Sequence, residues 1–375
     1  MRLSTVERVS TPLPREPALS AGARRLLEDC VRGRSGERLL IVREPADGGY
    51  YEPDAAEATI RTACALGLSV HSVEAPIALA DDAEIESFLD VLHGFDHVVF
   101  FARVGDQLRF RGSAALRSAT MCYTLDRGML DSAFGTACHA GLCEIKALAE
   151  AALANAREVR VSCPLGTDYR GHVSSPAGRA ELGDTVLRRF PMLVPSPVPA
   201  TGFAGRVVLS RFLVGTGSRF YEPYCLPLGS DVVAEVAGNR LVRFEGDPVE
   251  VRRVEAHYAD IAGRYGIDPR HVHSWHAGIH PACTFGGDAR RDALRWSGSA
   301  FGSPRLLHFH TCGDYAPGEI SWNVLDPTVR VDGVALWERG VLHPERLPDG
   351  VPLLARHPEL GEHYRHPRRE IGVSG

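Results

Sequence analysis

Lysine is almost missing from this chain. Of its 42 lysine and arginine residues only Lys146 is a lysine, so Schiff-base chemistry would have to use that one amine. The GxxxxGK[ST] phosphate loop is absent, and no GxGxxG follows a strand-like run, which leaves a nucleotide or dinucleotide without its usual cradle. No stretch approaches the roughly 18 apolar residues a membrane span needs, and the N-terminal stretch lacks the apolar core of a signal peptide. There is no basic tract, and the net charge is −5. A nucleic acid held through its phosphates is thereby disfavoured. The nine cysteines are odd in number and scattered, with no CxxC pair, a pattern of reduced thiols rather than of a disulfide framework. The expectation is a cytoplasmic protein with no nucleic acid and no membrane partner, acting on a small-molecule substrate.

What is present is an ordinary globular chain of 375 residues, 44% hydrophobic and 24% charged, long enough for two domains. Residues 21–31 read as a helix and RLLIVR at 38–43 as a buried strand. Pro53-Asp54 opens an Ala-rich helix, LSVHSV at 68–73 a strand, 82–92 a helix and 97–101 a strand. A helix at 142–154 and a strand at 158–163 continue this βαβ rhythm, which predicts a parallel α/β domain over residues 1–195. Four prolines and two glycines in 190–205 mark the boundary. Beyond it, short strand-like runs and one amphipathic helix at 248–265 predict an α+β, mostly antiparallel domain over 196–375, with a Pro-, Arg- and His-rich tail from Pro344 as an arm or poorly ordered end.

Histidine is the compositional anomaly. Six of the 16 fall between His271 and His310: these two and His273, His276, His280 and His308. Taken singly, each is more often a surface or hydrogen-bonded residue than a ligand. In His308-Phe309-His310, however, two imidazoles stand two residues apart, which on a strand puts them on one face. Asp314 and Asp326 follow, although each also suits a turn beside Gly or Pro. Two imidazoles and a carboxylate with open positions are the donors of non-haem Fe(II), and Zn takes a similar set with one water. Cys312 reads as a buried structural thiol. Nearby aromatics, Trp275, Phe285, Trp296, Phe309, Tyr315 and Trp322, could stack on a flat substrate, and Arg290, Arg291 and Arg295 could clamp a carboxylate.

Residues 234–281, ending HVHSWHAGIHP, and the run from His308 to Gly340 resemble the superfamily of the aminopeptidase T metallopeptidases and the 2,5-dihydroxypyridine 5,6-dioxygenases. Gly278 and Pro281 match the end of its [EH]-x-G-x-G-x-[NQ]-P motif, Asp326 falls on the aspartate of its closing H-x-D, and Gly166-Thr167-Asp168 is similar to its G-[ST]-D turn. Its first ligand falls on Ser274, its H-x-D histidine on Val324, and a peptidase glutamate on Ser230. The resemblance implies a homodimer and a mononuclear centre of Fe(II), with Zn or no metal as alternatives. Its ligands would come from His276, His308 or His310, and Asp326, with His280 or Tyr315 moving protons. The expected activity is an oxygenase on a small cyclic or amino-acid-derived metabolite. The alternatives are a Zn-type aminopeptidase or amidohydrolase, and a metal-free transferase, cyclase or binding module.

Overall fold

A computed structural model describes residues 6–9, 19–109, 111–173, 186–215, 221–313 and 317–373. They form two compact units, one of the described residues up to Ala140 and the short segment ending at Met192, the other of the remainder. No helix among the described residues is long and apolar enough to cross a membrane.

The first unit is built on a six-stranded sheet in the order Glu7–Arg8, Ser69–Glu74, Arg38–Arg43, His97–Phe101, Ala119–Cys122, Arg188–Phe190. Every pairing is parallel except that of the first strand. Leu39, Leu40, Ile41 and Val42 are fully buried, as a strand covered by helices on both faces requires. Pro53 opens the helix Pro53–Ala65, and Asp81 caps Asp82–Leu92 by accepting the Glu84 N–H at 2.8 Å. The helix expected at 21–31 begins at Ala21 and widens into π-helical turns over Leu26–Val31.

His139 is buried against Phe190 in this unit, and burial pushes its imidazole down from 6.5 to about 4. Between those values the unfolded chain binds a proton that the folded one refuses. The stability held by the neutral ring should therefore be complete above pH 6.5 and decline as the pH falls to about 4. The loss is at most about 3 kcal/mol. Denaturant unfolding of wild type and His139→Gln across this window checks it: the difference between them should vary with pH only there.

The second unit contains two antiparallel sheets. One has eight strands in the order Arg240–Gly246, Val232–Ala237, Phe203–Leu209, Asp168–Gly171, Val159–Ser162, Thr328–Val331, Val334–Glu338, Val341–Leu342. The strand expected near 158–163 thus does not extend the parallel sheet, because it pairs antiparallel on both sides. Its side chains show why. Val159 and Val161 are fully buried while Arg160 between them is exposed, the alternation of a sheet with one covered face.

The other sheet has six strands in the order Cys225–Pro227, Phe212–Val214, Ile320–Leu325, Leu306–Thr311, Val272–Ala277, Val198–Pro199. Trp275, Phe309 and Trp322 point from it toward the eight-stranded sheet, where Phe309 meets Tyr169 edge-on at 5.3 Å and Trp275 meets Phe203 at 5.6 Å. Because strand side chains alternate, the intervening residues His276, His308, His310, Ser321 and Asn323 take the opposite face. The tail is no loose arm. It forms the helices Gly350–Arg356 and Pro358–Arg365, buries Leu353, Leu360 and Ile371, and the Tyr364 hydroxyl donates to the Ile279 carbonyl at 2.7 Å.

Candidate metal centre

Antiparallel register brings the histidines together. His276 lies directly opposite His308 on adjoining strands, so their Cβ atoms are neighbours, and His310 is one step along the same face. The Nε2 atoms of His276 and His308 are 2.7 Å apart, and those of His276 and His310 are 3.1 Å apart. His276 is 5% exposed and His308 3%, while His310 is half-buried. These three are the group of ligating side chains, among the described residues, whose donor atoms all fall within 4.8 Å of one another.

Their outward nitrogens set the tautomers. A carbonyl oxygen only accepts, so the 2.8 Å contact of His276 Nδ1 with the Pro195 carbonyl fixes the proton on Nδ1. His310 Nδ1 donates in the same way to the Glu319 carboxylate, which is 1% exposed. Both rings then turn an Nε2 lone pair toward the shared centre. Phe301 lies flat on His308, with ring centroids 4.1 Å apart and planes 14° from parallel, and holds the third ring in place.

Facing lone pairs, such as those of His276 and His310 at 3.1 Å, repel unless a proton or a cation stands between them. Three donors at right angles, each about 2.1 Å from an ion, are about 3.0 Å from one another. The separations of 2.7 and 3.1 Å bracket that value. A carboxylate and a carbonyl holding the far ring nitrogens are the usual outer partners of metal-binding imidazoles. The residues present therefore fit a single ion.

The structure does not bring Asp326 to this group. Its carboxylate takes two 2.7 Å hydrogen bonds from Arg305 and a third at 3.0 Å from Arg369, at a left-handed φ of 47° one residue past the strand. Gly340 packs against it so closely that a Cβ there would come within 2.5 Å of the carboxylate. Asp326→Asn should cost about 1–3 kcal/mol of stability and leave metal stoichiometry unchanged. Unfolding and metal analysis of the same preparation test this, since a ligand role would reverse the pattern.

His280 is buried in the turn after its strand, with Nδ1 accepting the Ala282 N–H at 3.2 Å, and it is not one of the clustered three. Tyr315 and Asp314 lie outside the described residues. Burial pushes the Cys312 thiol up to about 12, consistent with a structural role. His273 contacts its neighbour Ser274 at 2.8 Å. Arg290 lines a cavity of about 630 Å³ with Arg211, Phe212 and Phe285. From that wall a train of rings, Phe212 on Trp296 and Trp296 on Phe301, leads to His308. Sequence reasoning missed Glu319, Phe301, Ser321 and Asn323. Only Glu319 carried a signal: a carboxylate nine residues after His310, entering the second strand of the hairpin.

No protein-family model and no curated protein matches the chain. Among solved structures it is similar to 2,5-dihydroxypyridine dioxygenase from Pseudomonas putida KT2440, at 14% identity and a TM-score of 0.56, over 89% of this chain and 99% of that one. At that identity the likeness is one of fold.

Proposed function

We propose that this chain is a metal-dependent enzyme of the oxygenase type, holding one Fe(II) on His276, His308 and His310 and acting on a small cyclic or amino-acid-derived metabolite. The observation that carries the reading is the convergence of three Nε2 atoms on one largely buried face, two of them with tautomers fixed from outside. The choice of iron and of oxidation is supported by the dioxygenase whose fold the chain shares. Bound there, the ion would supply open positions for dioxygen and substrate.

The protein's own groups have defined tasks in this scheme. Pro195 and Glu319 hold the Nδ1 protons of His276 and His310, so both rings stay oriented as donors. The negative charge of Glu319 also offsets part of the ion's charge, which three neutral imidazoles leave untouched. Phe301 shields His308 from water. His280 and Tyr315 are the proposed acid–base groups.

One feature favours a second reading. A set of three imidazoles with no carboxylate among the ligands is also a catalytic zinc set, in which a bound water becomes a nucleophile at neutral pH. Protein purified without chelator separates the two. On the iron reading it carries close to one iron per chain, and chelation removes an oxygen-dependent activity that Fe(II) restores. Iron below about a tenth of an equivalent, without rescue by Fe(II), removes that reading, and zinc with oxygen-independent hydrolysis would replace it.

A further inference from the structure

The wall of the site beside the histidines is polar, buried and unsatisfied. Asn323 is 4% exposed and Ser321 0%. Neither the Oδ1 nor the Nδ2 of Asn323, nor the Ser321 hydroxyl, has a hydrogen-bond partner among the described residues. Register puts Asn323 directly opposite His308 and Ser321 directly opposite His310, so their side chains share the face of the trio. Folded proteins seldom leave buried amides unpaired, and each exception asks for a reason. Three such atoms in a row, next to three convergent imidazoles, are unfavourable in the resting protein and useful to a molecule that arrives there.

We infer that Asn323, assisted by Ser321, reads the substrate of this site through an amide-type edge. A carboxamide offers one acceptor and two donor hydrogens in a plane. Its complement is a donor and an acceptor on neighbouring atoms, as in a primary or secondary amide, a lactam or a neutral carboxylic acid. A carboxylate anion accepts only and would leave Asn323 Oδ1 unpaired. The flat Phe301–His308 stack suits a planar molecule. This inference rests on the histidine trio being the place of chemistry.

Benzamide is a suitable probe, with N,N-dimethylbenzamide and benzoate as controls, titrated calorimetrically into chelator-treated and Co(II)-loaded full-length protein. Benzamide should bind the wild type at least about tenfold more tightly than either control and than it binds Asn323→Leu, because each mismatch strands a buried polar group. Ser321→Ala should weaken it less. Ligand-free Asn323→Leu should melt no lower than the wild type and take up Co(II) equally, a result a merely structural asparagine would not give. Equal benzamide affinity for wild type and Asn323→Leu overturns the inference, as does absence of binding in both metal states or a lower melting temperature for ligand-free Asn323→Leu. Co(II) uptake is scored separately: if it fails while benzamide still discriminates, the metal reading falls and this one stands.

Discussion

His276→Ala should abolish metal binding and, with it, activity. Its Nε2 is within 3.1 Å of both other ring nitrogens, so its loss removes the shared corner of the donor triangle. Structural zinc sites with four ligands bind with roughly 10–16 kcal/mol, a share of about 2.5–4 kcal/mol per ligand. Affinity should therefore fall by a factor on the order of 10² to 10³, enough to empty the site during gel filtration. Glu319→Gln gives the graded comparison: it keeps the hydrogen bond and loses the charge, and outer partners of this kind typically govern affinity within about 10- to 100-fold. Metal titration of the two variants and wild type should rank them in that order. If His276→Ala kept a full equivalent of metal, the trio would not be the binding site.

The histidine pair at 308 and 310 was legible because two residues along a strand return to the same face, whatever the fold. The third imidazole was harder, since His276 gains its place only through antiparallel register with His308. The carboxylate went astray for the same reason. Asp326 follows the hairpin's second strand, and the row opposite the histidines is occupied by Ser321 and Asn323 instead. Glu319 enters that strand from its other end, beside His310. Gly313 and Gly318 in the connecting segment permit several turn geometries, so spacing alone could not fix the register that decides between the two acids. At the level of the fold, the βαβ rhythm up to residue 101 was plain because the strands Arg38–Arg43 and His97–Phe101 carry continuous apolar runs and helical patterns separate the strands. The strand at 159–162 misled although Val159, Arg160 and Val161 alternate, because the helix His139–Asn155 precedes it at the spacing of a βαβ unit. The terminal helices misled because charge hid the spacing of Leu353, Leu360 and Tyr364.

Glu44→Ala should strongly destabilise the first unit. Glu44 leaves the strand Arg38–Arg43 and Arg103 follows the adjoining strand His97–Phe101, and their side chains pair at 2.7 and 2.9 Å with 1% and 4% exposure. The Arg103 guanidinium also lies 4.7 Å above the Tyr50 ring. Removing one partner leaves the other charged and buried, which costs about 3–5 kcal/mol. For a unit of this size that is about 6–20 °C in melting temperature. Replacing both, as Glu44→Leu with Arg103→Met, should recover most of the loss, because the pair's attraction roughly offsets its desolvation. Denaturant unfolding of the two single variants and the double variant measures the coupling; a loss under about 1 kcal/mol in Glu44→Ala would mean water reaches the pair. The location gives the result its functional weight. Sheet order runs from 38–43 outward to 69–74 on one side and to 97–101 on the other, so the pair stands where the winding reverses, at the carboxyl ends of parallel strands. Open α/β sheets take ligands in that crevice. Here the buried Glu44–Arg103 ion pair and the Tyr50 ring stand at that end of the sheet.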